Sequence, residues 1–305
     1  MRQVIQCVPN FSEGRDRSVA EAIAQAARMA SDAVVADYSC DCDHNRMVLS
    51  LLGGPEEIRS AVFAAAERAV ELIDLRGHEG AHPRLGAVDV VPLVPIRGVT
   101  MHECVHLSRL IGGDIAEKLS IPVYFYERSA IKSHRVNLHD IRKGGFERLV
   151  EAETLEGDHT PDLGPHKAHP SAGAVVIGAR GPLVAFNINL QTEDMEIARA
   201  IVRQIRSGDS GLAGLKSMAV WLASRSLVQV SMNVTEPDAT PLRDVYCFVE
   251  AEARKLGAEV AESEIIGLVS RKYLEGTSPE QIKARAFKET QMLEYWLQKR
   301  QGIME

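Results

Sequence analysis

"LVAFNINL", residues 183 to 190, alternates as a strand with one buried face: Phe186, Ile188 and Leu190 point one way, Asn187 and Asn189 the other. It opens a series. Downstream the patterning predicts a helix over 193–206, strands over 217–223 and 227–234, a helix over 241–256 and a strand over 259–269. The same β-α-β-β-α-β order occurs once upstream. Val4 to Val8 reads as a strand ended by Pro9-Asn10, and Arg15 to Ala30 as an Ala-rich helix with Val19, Ile23 and Ala26 facing the core. Strands at Ala33 to Tyr38 and Met47 to Leu52, a helix from Pro55 to Ile73 and the strand "VDVVPLVPI" at 88–96 complete it. A helix over 102–118, a strand from Pro122 to Tyr126 and a long Gly/Pro/His-rich loop, Leu155 to Ala172, join the repeats, and a helix is expected from Pro279 to Lys299.

The expected fold is therefore α+β, with two ferredoxin-like βαββαβ subdomains over residues 1–180 and 181–305, each an antiparallel sheet with helices on one face. In "QVSMNV", Gln229, Ser231 and Asn233 oppose Val230, Met232 and Val234, so two neighbouring strands share a polar face. That face is either a solvated sheet surface or one wall of a cleft whose amides can bind a heterocycle.

At 305 residues, 45% hydrophobic and 25% charged, the chain has the composition of a soluble globular protein with room for two such units. A formal charge of -7 and a pI near 5.9 argue against a nucleic-acid or acidic-membrane binder. Five cysteines, Cys7, Cys40, Cys42, Cys104 and Cys247, suit a reducing compartment, with cytoplasm the expectation, and the start "MRQVIQCVPNF" has neither signal-peptide nor membrane-spanning character.

"HEGAHPRLG", residues 78–86, carries His78, Glu79 and His82 at the H-E-x-x-H spacing of zinc proteases. That chemistry needs both histidines on one regular helix. Gly77 and Gly80 weaken a helix, and Pro83 pushes His82 out of the α region, so no metal is expected. A rigid loop entering the strand at Val88 can instead hold His82 toward a cleft as a general acid or base, or leave it hydrogen-bonded in a turn. Arg84 and Asp89 read equally as local ion pairs or substrate-facing groups. In "DYSCDCDHNR", 37–46, Asp37 or Asp41 can orient and assist His82, or the acids can cap a polar turn. "PNFSEG", 9–14, presents Asn10 and Ser12 before a helix, as an anion site or as an N-cap turn with Ser12 or Asp16 as the cap.

Taken together, "CVPNFSEG" (7–14), "NRMV" (45–48), "LIDLRGHEGAHPRLGAVDVVPLVP" (72–95), "PVYFYE" (122–127), "PDLGP" (161–165), "GARGPLVAFNINL" (178–190), "QVSMN" (229–233) and "IGLV" (266–269) strongly resemble the glutamate formiminotransferases, in colinear order across both halves. The resemblance implies two ferredoxin-like subdomains enclosing a folate-binding tunnel, in an enzyme that is a homodimer. It also implies transfer of a formimino group from N-formimino-L-glutamate to N5 of tetrahydrofolate, the co-substrate, in histidine breakdown. The family's catalytic histidine falls on His82. Its folate-binding segment falls on Leu163, Gly164, Pro165, His166, Lys167, Ala168, His169, Pro170, Ser171 and Ala172.

Substrate carboxylates call for cations, with Arg46, Arg84, Lys167 and Arg180 as candidates, and Asn10, Asn187, Asn189 and Asn233 can add polar contacts. Where the family has an acidic residue this chain has Ser39, which leaves Asp37 or Asp41 as the assisting carboxylate. The cyclodeaminase domain of animal relatives has no counterpart here, so 5-formiminotetrahydrofolate is expected to pass to another enzyme. Two other readings stay open: one-carbon transfer involving 5-formyltetrahydrofolate, and folate binding without catalysis.

Overall fold

The computed structural model describes residues 3–208 and 210–302. It is a mixed α+β protein with two sheets, and its internal contacts divide it into Met1–Gly181 and Pro182–Glu305.

In the first unit the elements run β1 (Val4–Cys7), β2 (Asn10–Phe11), α1 (Arg17–Ala30), β3 (Val34–Asp41), β4 (Arg46–Gly53), α2 (Pro55–Leu72), β5 (Val88–Arg97), α3 (Met101–Leu119), β6 (Val123–Phe125), α4 (Leu138–Ile141), α5 (Gly145–Glu151) and β7 (Val175–Ala179). β1 and β2 are one path interrupted at Pro9, which has no N–H for the ladder. Both pieces pair antiparallel with β4 on one side and β5 on the other, and β3 lies beyond β4. β7 and β6 extend the sheet past β5 in parallel.

Helix α1 begins at Asp16, whose carboxylate accepts from the Ser18 and Val19 amides. It buries Ala20, Ile23, Ala24 and Ala27, one alanine stripe over from the expected Ala26. Small residues there and at Ala61, Ala65, Ala66 and Ala69 of α2 let the two helices pack closely on the sheet. Together with α3 they close one core that includes Ile5, Phe11, Leu49, Leu51 and Val91.

The opposite face of β5, β6 and β7 is covered by a second cluster, Val90, Tyr124, Tyr126 and Val176 under Leu149, Leu155 and Ala168. The stretch expected as a long loop is thus fastened over the sheet. The Val123 amide donates to the Leu163 carbonyl at 2.9 Å, and the Leu155 amide to the His166 carbonyl at 2.7 Å. The buried Arg135–Asp162 pair, 2.7 Å apart, ties its stem, and Asp162 also accepts from the Phe125 amide at 2.8 Å.

The second unit contains β8 (Val184–Leu190), α6 (Met195–Ser207), β9 (Leu215–Leu222), β10 (Leu227–Val234), α7 (Leu242–Lys255) and β11 (Val260–Ile266), with strand order β11, β8, β10, β9, all antiparallel. Phe186, Ile188 and Leu190 enter the core as their alternation requires, with Val228, Val230 and Met232 from β10. The expected C-terminal helix is much shorter, α8 (Leu293–Gly302). The preceding stretch instead makes backbone bonds beside β11, Ser263 amide to Lys283 carbonyl at 3.0 Å and Leu293 amide to Val269 carbonyl at 3.0 Å, an edge pairing that competes with helix.

Gly86 holds the loop before β5 against Gly173. A side chain there would place a Cβ 2.0 Å from the Ala174 carbonyl oxygen, with backbone on the other side as well. Gly86→Ala is therefore expected to cost about 3 kcal/mol in urea unfolding, since neither backbone can yield; wild-type stability would show that the strands are not so close.

Candidate functional site

Four segments converge beside the start of β4: Phe11-Ser12, the turn 42–45, the segment from His78 to Arg84, and Asp89 on β5. They line a narrow hollow that their own side chains fill, with no room inside it for a water molecule. Asn45 makes the convergence possible. Its backbone is left-handed, φ 47°, a conformation Asn tolerates better than most residues. Its side chain then accepts from the Gly14 amide at 2.9 Å and donates to the Glu79 carbonyl at 2.9 Å. The Asn45 carbonyl meets His78 Nε2 at 3.0 Å, and the Ala81 amide donates to the Asp43 carbonyl at 3.0 Å. Gly80 allows this approach, because a Cβ would lie 2.4 Å from the His44 carbonyl oxygen.

Residues 78 to 86 contain no helical turn, so the two histidines do not share the helix face that a zincin needs. His78 spends its ring on the Asn45 carbonyl. Among the described residues no group of three or more His, Cys, Asp or Glu side chains is placed to hold a metal ion.

His82 is half-buried, its ring centroid 6.0 Å from that of His44. Arg46 Nη1 lies 2.6 Å from His82 Nε2. Because guanidinium has no acceptor, Arg46 donates and Nε2 carries the lone pair. The ring proton then belongs on Nδ1, where the Pro83 carbonyl can accept it; proline has no N–H to offer. Burial, then the positive charges of Arg46 and Arg142 and the neighbouring His44, hold the His82 pKa well below the ordinary 6.5. The imidazole is neutral at pH 7.

Arg46 is itself buried enough that its pKa is pulled down to about 10, with Arg142 adding repulsion and Asp89 and Asp41 opposing it. It remains a cation at neutral pH. Its Nε is buried without a hydrogen-bond partner among the described residues, as are Arg84 Nε, His78 Nδ1 and Asn10 Oδ1.

Asp41 Oδ1 accepts from the His44 amide at 2.8 Å and so closes the turn, and Asp37 lies in β3 opposite Ser50. Ser39 stands opposite Val48. The acid beneath the site is Asp89, buried, bonded to the Leu85 amide at 2.9 Å and ion-paired with Arg142. Arg84 reaches Glu147 at 2.7 Å and the His78 carbonyl at 2.9 Å. Beside it lies a larger hollow of about 440 Å³, lined by Leu75 to Glu79, by Arg84 and by Phe146, Glu147 and Val150.

Arg180 bonds the Gly181 carbonyl at 2.9 Å and approaches Tyr126, whose phenol burial pushes up while Arg180 and Arg142 draw it down. Asn10 donates to the Val8 carbonyl at 2.7 Å, and Ser12 to the Gly86 carbonyl at 2.8 Å.

In the second unit, Asn189 accepts from Gln229 at 2.8 Å and donates to Glu262 and Glu264, whose carboxylates also hold Arg225. Asn187 is buried and Asn233 exposed. The polar strand face is thus a cross-strand hydrogen-bonded network. Of residues 163–172, none lines either hollow. His166 and Lys167 are exposed and Ala168 and Ala172 buried. His169 Nδ1 accepts from the Ala172 amide at 3.0 Å, and the Ser171 carbonyl accepts from the Leu75 amide at 2.8 Å, which links this segment to the approach of the histidine loop.

Two residues of this centre escaped the sequence reading: Arg142, which ends α4, and Tyr126. Tyr126 lies in "PVYFYE" but drew no role there, and Arg142 sits in no quoted stretch. Only a basic residue following a Gly-poor helical turn marks Arg142, and that signal is shared with many surface arginines.

A family model described as the formiminotransferase domain, N-terminal subdomain, matches residues 4–180, and one described as the formiminotransferase domain matches residues 185–290. A glutamate formimidoyltransferase of Streptococcus pyogenes is 41% identical over 274 residues, 90% of this chain and 91% of that protein. Another, of Thermoplasma acidophilum, is 40% identical over 298 residues, 97% of this chain and 98% of that protein. The formimidoyltransferase-cyclodeaminase of Rattus norvegicus is 39% identical over 280 residues, 90% of this chain and 51% of that longer protein.

The Asp89–Arg142 pair has side chains only 3% and 10% exposed, so removing one partner strands a buried charge. Asp89→Ala is expected to lose about 3–5 kcal/mol in urea unfolding, and Asp89→Ala combined with Arg142→Met to lose less than the single change. Equal losses would mean that the pair is solvated.

Proposed function

The chain belongs to the formiminotransferase family, and on that premise we propose that it moves the formimino group of N-formimino-L-glutamate to N5 of tetrahydrofolate with His82 handling the proton. The observation that carries this reading is the half-buried His82, neutral at pH 7 and beside Arg46. N5 attacks the formimino carbon and a new C–N bond gives a tetrahedral intermediate. His82 takes the proton that N5 loses. The bond to the glutamate nitrogen then breaks as that nitrogen receives the proton from His82, so L-glutamate leaves and 5-formiminotetrahydrofolate remains. The imidazole ends as it began.

General acid-base catalysis of this kind contributes about 100- to 10,000-fold, and alignment of two bound substrates supplies the rest. A lowered imidazole pKa makes a weaker base but keeps it unprotonated, and its conjugate acid is correspondingly readier to release the proton to the leaving nitrogen. Neither step calls for a metal.

The same proposal includes two ferredoxin-like subdomains, which the strand orders β5, β1/β2, β4, β3 and β11, β8, β10, β9 support. It also includes a folate-binding cleft, folate contact by residues 163–172, a homodimer and a cytoplasmic setting. Substrate carboxylates would meet Arg46, Arg84 and Arg180, and Asp89 takes the place of Asp37 or Asp41 as the acid that orders the site.

His82→Ala is expected to lower turnover about 100- to 10,000-fold while tetrahydrofolate affinity, measured by fluorescence titration, stays within a few-fold. Undiminished turnover in a folded variant would remove His82 from the chemistry. In the wild type, kcat/KM requires neutral His82, so its acid limb is expected below the ordinary imidazole value of 6.5; a limb above pH 7 would contradict the environment described.

A further inference from the structure

In the free protein the one lone pair available on His82 is covered. Arg46 Nη1 donates to Nε2 at 2.6 Å, so the base cannot accept a proton until the guanidinium moves. Arg46 also holds a buried Nε–H with no acceptor among the described residues, a deficit that an incoming carboxylate would remove. The guanidinium edge that pairs with a carboxylate through two hydrogen bonds is Nε–Nη2, opposite the Nη1 that covers His82, so turning that edge to a carboxylate swings Nη1 off Nε2.

We infer that Arg46 covers His82 in the free protein and uncovers it when the α-carboxylate of the formimino donor takes the guanidinium. The inference rests on the transferase reading above and assigns Arg46 as the positioning and specificity residue of that reaction.

The α-carboxylate is singled out by connectivity. It is borne by the same carbon as the leaving nitrogen, so a guanidinium drawn off Nε2 by that carboxylate leaves the nitrogen beside the freed lone pair. The γ-carboxylate carbon is three bonds from that carbon along a flexible chain and imposes no such placement. A donor is thereby recognised and its base released in one event.

The surroundings keep the latch poised. Arg142 repels Arg46, and Asp89 and Asp41 attract it. His82 is faced by Arg46 from β4, Arg142 after α4, His44 from the turn and the Pro83 carbonyl on its own segment, while His78 and Arg84 line the same hollow. When a carboxylate neutralises Arg46, the largest positive charge on His82 is lost and its proton affinity rises.

The test follows His82 by NMR in protein labelled with 15N-histidine, the signal assigned from the His82→Gln spectrum. Titrations are run with no ligand, with saturating L-glutamate, and with 4-aminobutyrate, which keeps the γ-carboxylate and amine but lacks the α-carboxylate. Saturation is judged by calorimetry. L-Glutamate is expected to raise the His82 titration midpoint by about one pH unit or more, and 4-aminobutyrate to leave it in place. Arg46→Gln is expected to show the raised midpoint without ligand, no further rise with L-glutamate, and a KM for the formimino donor at least about tenfold higher, with Arg46→Lys partly restoring it.

An unmoved midpoint in the wild type with L-glutamate bound overturns the inference, and so does failure of L-glutamate to bind. Equal shifts from both ligands overturn the α-carboxylate assignment. The wild-type titrations decide the matter even if Arg46→Gln does not fold. Should His82→Ala keep its turnover, the transferase role of His82 falls first; if that turnover is lost and the midpoint never moves, only the latch falls.

Discussion

A side-chain amide in a left-handed turn is the constraint on which the site depends. Asn45 bonds the Gly14 amide on one side and the Glu79 carbonyl on the other, and its own carbonyl occupies His78. Three stretches far apart in sequence are fixed by one residue. Without that stitch the segment 78–86, which has no regular backbone structure to stiffen it, would have no reason to hold His82 at Arg46. Glycines at 80 and 86 make the stitch sterically possible, and Pro83 keeps the histidine out of a helix.

Electrostatics then set what the fixed histidine can do. Arg46 and Arg142 share the buried carboxylate Asp89, with Asp41 also drawing on Arg46, and Arg180 stands beside Tyr126. An excess of buried positive charge is costly in a free protein and favourable once anionic groups arrive, so the arrangement suits substrates that bring carboxylates. Burial first, and then the charges of Arg46 and Arg142, keep His82 neutral. Binding and proton handling therefore draw on one set of charges.

Much of the fold was legible because period-2 and period-3.6 patterns survive in "LVAFNINL", "QVSMNV" and the Ala-rich helices. The failure at 279–292 has a physical cause: the backbone there bonds along β11, and a tertiary pairing of that kind leaves no local mark. At the site, Gly80 and Pro83 sufficed to reject a zincin helix, and His82 stood out for its rigid context. Asp37 and Asp41 were singled out by proximity in sequence, whereas Asp89 could be read only as either an ion-pair partner or a substrate-facing group. Asp89 finds Arg142 across 53 residues, through an excursion between β6 and β7 that no motif announces. Residues 163–172 were marked by family resemblance alone, and their fastening through Val123, Leu155 and Leu75 could not be read from composition.

In the transfer proposed for His82 the formimino carbon passes intact to folate. The most direct measurement supplies N-formimino-L-glutamate with a 13C-labelled formimino carbon, tetrahydrofolate and a chelator, and follows the label by 13C NMR. The label is expected to appear on N5 of the folate in step with release of L-glutamate. Label that remains on glutamate while tetrahydrofolate is bound, or that appears as N-formylglutamate through attack by water, would contradict it.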